Sequence, residues 1–160
     1  MPTDDDKPAK IGIRADDGTV ETPWAFDLGG NRYRLDNIPF FAYRISAHDV
    51  VEAVPDADGL PMFQRVVEKS GNRTVRVWLP ESADVAPGPS LLADIKRLGC
   101  TYGGAYNKLI CINVPPSVPL EVIAHRLTEL GVEWEYADPT HDDPFPDEDG
   151  NNGDARPATG

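Results

Sequence analysis

His48 and Asp49 are an adjacent histidine–acid pair within the strand-forming part of the chain. A general base with an orienting carboxylate beside it is the usual start of acid–base or nucleophilic catalysis. Here Asp49 opens a strand-like run, and neighbours along a strand point to opposite faces. The pair therefore reads as a turn entering a strand, with Asp49 capping backbone amides. An enzymatic site near His48 and Asp49 stands as an alternative. Cys100 and Cys111 have ten residues between them, form no CxxC pair and have no histidine at metal-ligand spacing. Cys100 follows a helix, where the macrodipole opposes a thiolate. Cys111 lies in an apolar strand. Both read as small core residues. His125 flanks a helical stripe, and His141 sits in an acidic tail. Gly103-Gly104 lacks any surrounding phosphate-binding pattern and reads as a hairpin or bulge.

Five arginines, Arg32, Arg34, Arg65, Arg73 and Arg76, form the candidate cationic surface. Arg32 and Arg34 share a strand face. Clustered guanidinium groups would hold an anionic ligand through charge-assisted hydrogen bonds. The competing reading is solvated strand arginines paired with Glu52 and Glu68. No metal or cofactor motif accompanies them.

These side chains must be positioned by two kinds of element. The run RTVRVWL, Arg73 to Leu79, alternates Val75, Val77 and Leu79 against Thr74, Arg76 and Trp78. A period of two predicts one buried and one wetter face. Before this strand the chain reads as hairpins. Lys10–Arg14 and Thr19–Asp27 flank an Asp-Gly turn, and Pro23 marks an edge or bulge. Arg32–Leu35, Val50–Val54 and Pro61–Lys69 are further strands. RTVRVWL is expected to pair back onto the last of them across Ser70-Gly71-Asn72. Asp36–Tyr43 breaks the pattern with Ile38, Phe40, Phe41 and Tyr43, expected as a short helical turn plugging a barrel. After RTVRVWL the rhythm changes. Leu91, Leu92, Ile95 and Leu98 predict a helix over 89–99, stopped by Gly99. Leu109–Val114 is a buried strand. Leu120, Ile123, Ala124, Leu127 and Leu130 predict a second helix ended by Gly131. Val132–Tyr136 is the last strand.

The expected fold is α+β: a small N-terminal β-barrel-like unit followed by a ferredoxin-like βαββαβ unit. Residues 1–9 are expected as a disordered acidic lead-in, 10–72 as the barrel-like unit, 73–138 as the ferredoxin-like unit and 139–160 as a disordered acidic tail. The ferredoxin-like sheet is expected to keep one face exposed.

The chain has 160 residues, 27 acids against 15 bases and a formal charge of −12. Residues 10–80 are nearly balanced at −1, whereas residues 139–160 alone carry −5. This balance argues against nucleic acid, whose binding runs on Lys and Arg. No run approaches the ~20 apolar residues of a membrane span. The start lacks the order of a signal peptide. Cytoplasmic residence with reduced thiols is expected.

The runs RYRLDNIPFFAYRISAHDVVEAVPD, FQRVVEKSGNRTVRVWL and GVEWEYADP resemble an uncharacterised bacterial family, domain-of-unknown-function family 4265. The resemblance spans roughly Val20 to Pro139. It implies no activity, cofactor or catalytic residue. It does imply a residue such as glycine at position 48, which counts against a catalytic His48. The leading expectation is a non-catalytic acidic protein engaging a protein partner, immunity-like or regulatory. Acidic surfaces speed association with basic partners. A small-molecule sensor using the seam between units and the barrel arginines is the alternative, and a small enzyme the third.

Overall fold

A computed structural model describes residues 7–79, 88–105 and 108–140. The N-terminal part supplies β1 (Lys7–Lys10), β2 (Ile13–Arg14), β3 (Val20–Glu21), β4 (Trp24–Gly29), β5 (Arg32–Leu35), β6 (Val50–Pro55) and β7 (Pro61–Glu68). Five of these form an antiparallel sheet in the order β1-β4-β5-β6-β7. β2 and β3 form a separate hairpin. Turn chemistry explains the succession. Gly30 and Asn31 both hold φ near +64° between β4 and β5, the conformation a two-residue hairpin needs. Asp56 Oδ1 accepts the N–H groups of Asp58 and Leu60 at 2.9 and 3.0 Å and closes the β6–β7 turn. Alternate residues of β5 and β6, Tyr33 and Leu35 with Val51 and Ala53, turn inward onto Ile11 and Ile13.

The expected barrel does not close. Among the described residues, Gly12 alone bridges the two ends of the sheet, through one parallel bridge to Met62. Its N–H donates to Pro61 O and its carbonyl accepts from Phe63 N–H, each at 2.8 Å. The chain then leaves for the β2–β3 hairpin, so the ladder stops there. A Cβ at position 12 would lie 2.5 Å from Met62 Sδ, so a larger residue at this crossing would displace the Met62 side chain. Residues 7–9, expected within the lead-in, join Lys10 in β1 and pair with β4 instead.

The second part runs β8 (Arg73–Trp78), α1 (Gly88–Arg97), β9 (Thr101–Ala105), β10 (Leu109–Val114), α2 (Leu120–Leu130) and β11 (Glu133–Asp138). Its sheet is antiparallel in the order β11-β8-β10-β9. β8 therefore does not pair with β7, contrary to the sequence expectation. The Ser70–Asn72 turn is real, but it hands the chain from one sheet to the other. The reason lies in burial. β8 is covered on both faces, which suits a strand inside a sheet rather than a hairpin arm.

Both helices cover one face of this sheet. Leu91 and Ile95 of α1 and Leu120, Ile123 and Leu127 of α2 share a core with Val75, Val77, Ile110 and Ile112. Asp94 joins the helices: Arg126 Nη2 and Nε reach its Oδ2 at 2.6 and 2.7 Å. Gly131 closes α2 in the left-handed conformation, φ 73°.

The opposite face, expected to be exposed, is also covered. Thr74 and Arg76 are 0% and 2% exposed, so the wetter face of β8 is in fact buried. The cover is the connection between β5 and β6, residues 36–49. This segment forms bends rather than the expected helical turn. Among tail residues, Pro139 and Thr140 are described, and Thr140 bridges back to Ala137. The remainder of both expected acidic tails, with His141, lies outside the described residues. Among the described residues no helix is long and apolar enough to cross a membrane.

Candidate ligand-binding site at the seam between the sheets

Residues 36–49 are held on the second sheet by side chains from both units. Glu21 receives three successive backbone amides: Phe40 N–H on Oε1 at 2.8 Å, and Phe41 and Ala42 N–H on Oε2 at 2.9 and 3.0 Å. Convergence of these donors on one carboxylate replaces the helical turn. From below, Arg76 donates through Nη2 to Ala42 O. Its guanidinium lies 4.8 Å from the Tyr43 ring centre, and Nη1 lies 3.7 Å from Glu135 Oε2. Tyr43 Oη donates to the same Glu135 oxygen at 2.5 Å. Arg76 is thus a clamp on the connecting segment, which its strand alternation alone did not indicate.

A second clamp is polar and buried. Ser46 Oγ donates to Asp138 Oδ2 at 2.6 Å and lies 2.7 Å from Thr74 Oγ1. Asp49 is fully buried; its Oδ2 accepts Ser46 N–H at 2.9 Å and its Oδ1 accepts Ser70 N–H at 2.8 Å. Lys69 Nζ reaches Asp49 Oδ2 at 2.7 Å and Asp138 Oδ2 at 2.6 Å. Burial works against the Lys69 ammonium, but hydrogen bonds and charge from Asp138 and Asp49 outweigh it and raise its pKa. The group joins the β5–β6 connection, the β7–β8 turn and the end of β11.

Beside these clamps a cleft of about 590 Å³ opens between the units. That volume lies within the ~300–1,000 Å³ of small-molecule sites. Pro23, Ile38, Phe40 and Tyr102 supply apolar wall, and Glu21, Asp36, His48 and Asn113 supply polar groups. Gly103 faces the Phe40 ring: a Cβ there would meet Phe40 Cε1 at 3.4 Å, an ordinary contact distance. On this flank Asn72 Nδ2 donates to Ala47 O at 3.0 Å and lies 3.4 Å from His48 Nδ1. Asn72 Oδ1 lies 3.4 Å from Asn113 Nδ2. Asn113 is 9% exposed, and its Oδ1 has no hydrogen-bond partner among the described residues. His48 adopts φ 70°, a left-handed conformation that favours glycine and explains the expectation of a small residue there.

The sequence candidates are dispersed. His48 lines the cleft, while the adjacent Asp49 carboxylate is committed to Ser46, Ser70 and Lys69. Cys100 is buried in the helical core, and burial raises its pKa. Cys111 is buried under Phe40, and burial pushes its thiol up to about 11. His125 is an exposed flank residue facing Glu129. The arginines do not meet in one place. Arg32 and Arg65 pair in register with opposite sides of Glu52, and Arg65 Nε reaches Glu52 Oε1 at 2.9 Å. Arg34 stacks near Phe26. Arg73 instead caps the carbonyls of Val114, Pro115 and Val118 ahead of α2. No group of three or more His, Cys, Asp or Glu among the described residues is arranged to hold a metal. The sequence reading missed Asn72 and Asn113. A signal was present: Asn113 is the one polar residue in the run LICINV.

Fold and cleft together define a mixed α+β protein of antiparallel sheets with a ligand-sized cavity at its seam. Residues 21–136 match the family model of DUF4265, a domain of unknown function, and the chain belongs to that family. The chain is also similar to the crystal structure of a hypothetical protein from Neisseria gonorrhoeae, with a TM-score of 0.64 and 16% identity. The alignment covers 87% of this chain and 99% of that one. At such identity the likeness concerns the fold alone. A search of curated proteins finds no match.

Proposed function

We propose that the protein is a non-catalytic small-molecule-binding module whose site is the cleft at the seam. The observation that carries this is Asn113: a nine-tenths buried amide whose oxygen lacks a partner among the described residues, on the wall of a cavity of ligand size. An unsatisfied buried acceptor costs about 1–3 kcal/mol, which a bound donor would recover. A ligand that binds only the folded chain stabilises it, by about 2.7 kcal/mol at a hundredfold excess over Kd. A thermal-shift screen of neutral fragments tests the reading. Hits should raise the melting temperature and lose their effect when Ile38→Trp fills the cleft. A flat response across the set would remove the basis of the proposal.

A second reading, an acidic protein partner of regulatory or immunity-like kind, is supported by the net charge of −12. It has less structural support, because the sheet face reserved for a partner is covered by residues 36–49. Salt-sensitive capture of a basic protein on the immobilised chain would favour it. The second unit we read as ferredoxin-like, on the order β11-β8-β10-β9 with helices after its first and third strands. Cytoplasmic residence is the companion proposal, in keeping with two free, buried cysteines.

A further inference from the structure

Resting on the cleft as the binding site, we propose that its ligand is a neutral, largely apolar molecule carrying a carboxamide-type group. The direction of hydrogen bonding through Asn72 leads to this. Ala47 O, a carbonyl, can only accept, and it receives Asn72 Nδ2 at 3.0 Å and Ser70 Oγ at 2.8 Å. That fixes which end of the Asn72 amide is NH2. Its Oδ1 must then face a donor, so the neighbouring group at 3.4 Å is Asn113 Nδ2. Reversing Asn113 would set two oxygens against each other. The group left over is therefore Asn113 Oδ1, an acceptor.

The same amide also sets the imidazole. The second hydrogen of Asn72 Nδ2 points to His48 Nδ1 at 3.4 Å, which makes Nδ1 an acceptor and leaves the proton of the neutral ring on Nε2. The relay thus leaves one acceptor, Asn113 Oδ1, enclosed behind the cleft wall, and one donor, His48 Nε2–H, on a ring that lines the cleft, both tied to a common amide. A carboxamide presents the complementary N–H and C=O. Asn113 Oδ1 is already removed from water, so a donor arriving there gains a bond with no further desolvation of the protein. Reaching it takes side-chain movement at the cleft wall, since the atom is closed to solvent. Charge narrows the class. Among the described residues no Lys or Arg lines the cleft, while Glu21 and Asp36 do, which disfavours anions. Pro23, Ile38, Phe40 and Tyr102 suit an aromatic or aliphatic body.

The test is an NMR titration of the isotope-labelled full chain with benzamide, benzoate, benzylamine and benzyl alcohol. Benzamide should perturb the Gly103 and Asn113 resonances and bind at least tenfold tighter than benzoate. Asn113→Leu should weaken benzamide at least tenfold, and His48→Phe, a change at an exposed side chain, should weaken it several-fold. Those variants keep the test decisive if either one fails to fold. Equal binding of all four probes, or benzamide affinity unchanged in the variants, overturns the carboxamide proposal while leaving the cleft as a site. No perturbation of cleft residues by any probe overturns the cleft itself.

Discussion

Asp49→Asn isolates the role of the buried clamp, because the two side chains have nearly equal volume and no cavity is made. In the native site Asp49 Oδ1 accepts Ser70 N–H at 2.8 Å, and Oδ2 accepts Ser46 N–H at 2.9 Å and Lys69 Nζ at 2.7 Å. An amide brings only one acceptor oxygen. Whichever way it turns, its NH2 faces a donor and at least one backbone N–H is orphaned. An orphaned buried donor costs about 1–3 kcal/mol. Loss of the charge on the Lys69 pair adds less than about 1 kcal/mol, since solvent screens a lysine side chain that is 46% exposed. The expected loss is about 1–4 kcal/mol, against the ~5–15 kcal/mol typical of whole domains. Urea unfolding at pH 7 should show the midpoint falling with the slope unchanged. Hydrogen exchange of the Ser70 amide should accelerate beyond the global change. A loss below about 1 kcal/mol would refute the assignment of Asp49 as a principal tie between the β5–β6 connection and the β7–β8 turn.

Three further outcomes are expected. His48→Gly should stabilise the chain by about 0.5–1 kcal/mol, because a left-handed non-glycine residue costs about 1–2 kcal/mol and glycine returns part of that in unfolded-state entropy. A lower melting temperature would show that φ 70° is not strained. Hydrogen bonds from Arg126 and Arg97 lower the Asp94 pKa below 3.8, so its contribution is present above that value and lost as pH falls through the lower folded one. Asp94→Asn should flatten the acid limb of a stability–pH curve, and an unaltered limb would sink the idea. Cys111, pushed up to about 11 by burial, should resist a disulfide exchange reagent at pH 8 in the folded chain and react once denatured. Rapid labelling of folded protein at this cysteine would contradict its burial.

Local side-chain rhythm made most elements legible. Arg32–Leu35, Leu109–Val114 and the apolar stripe of 120–130 appear in the structure much as the sequence sets them out. Each depends on neighbours within one turn or one strand. Pairing was less legible. The Ser70-Gly71-Asn72 turn marks a reversal of direction but does not say which strand comes next, and a hairpin was the simpler expectation. Arg76 was misread for a related reason: alternation assigns faces, but it cannot say what will cover a face.

The amino-acid order by itself determined an α+β chain, its strand and helix positions, and core places for both cysteines, because periodicity and turn residues act over short separations. Only the tertiary structure decided that the sheet stays open, that residues 36–49 cover the second sheet, and that His48, Asn72 and Asn113 meet. Those facts depend on groups 24 and 41 positions apart satisfying one another's hydrogen bonds. No local pattern encodes a partner at that distance; burial of the polar groups between two sheets selects it.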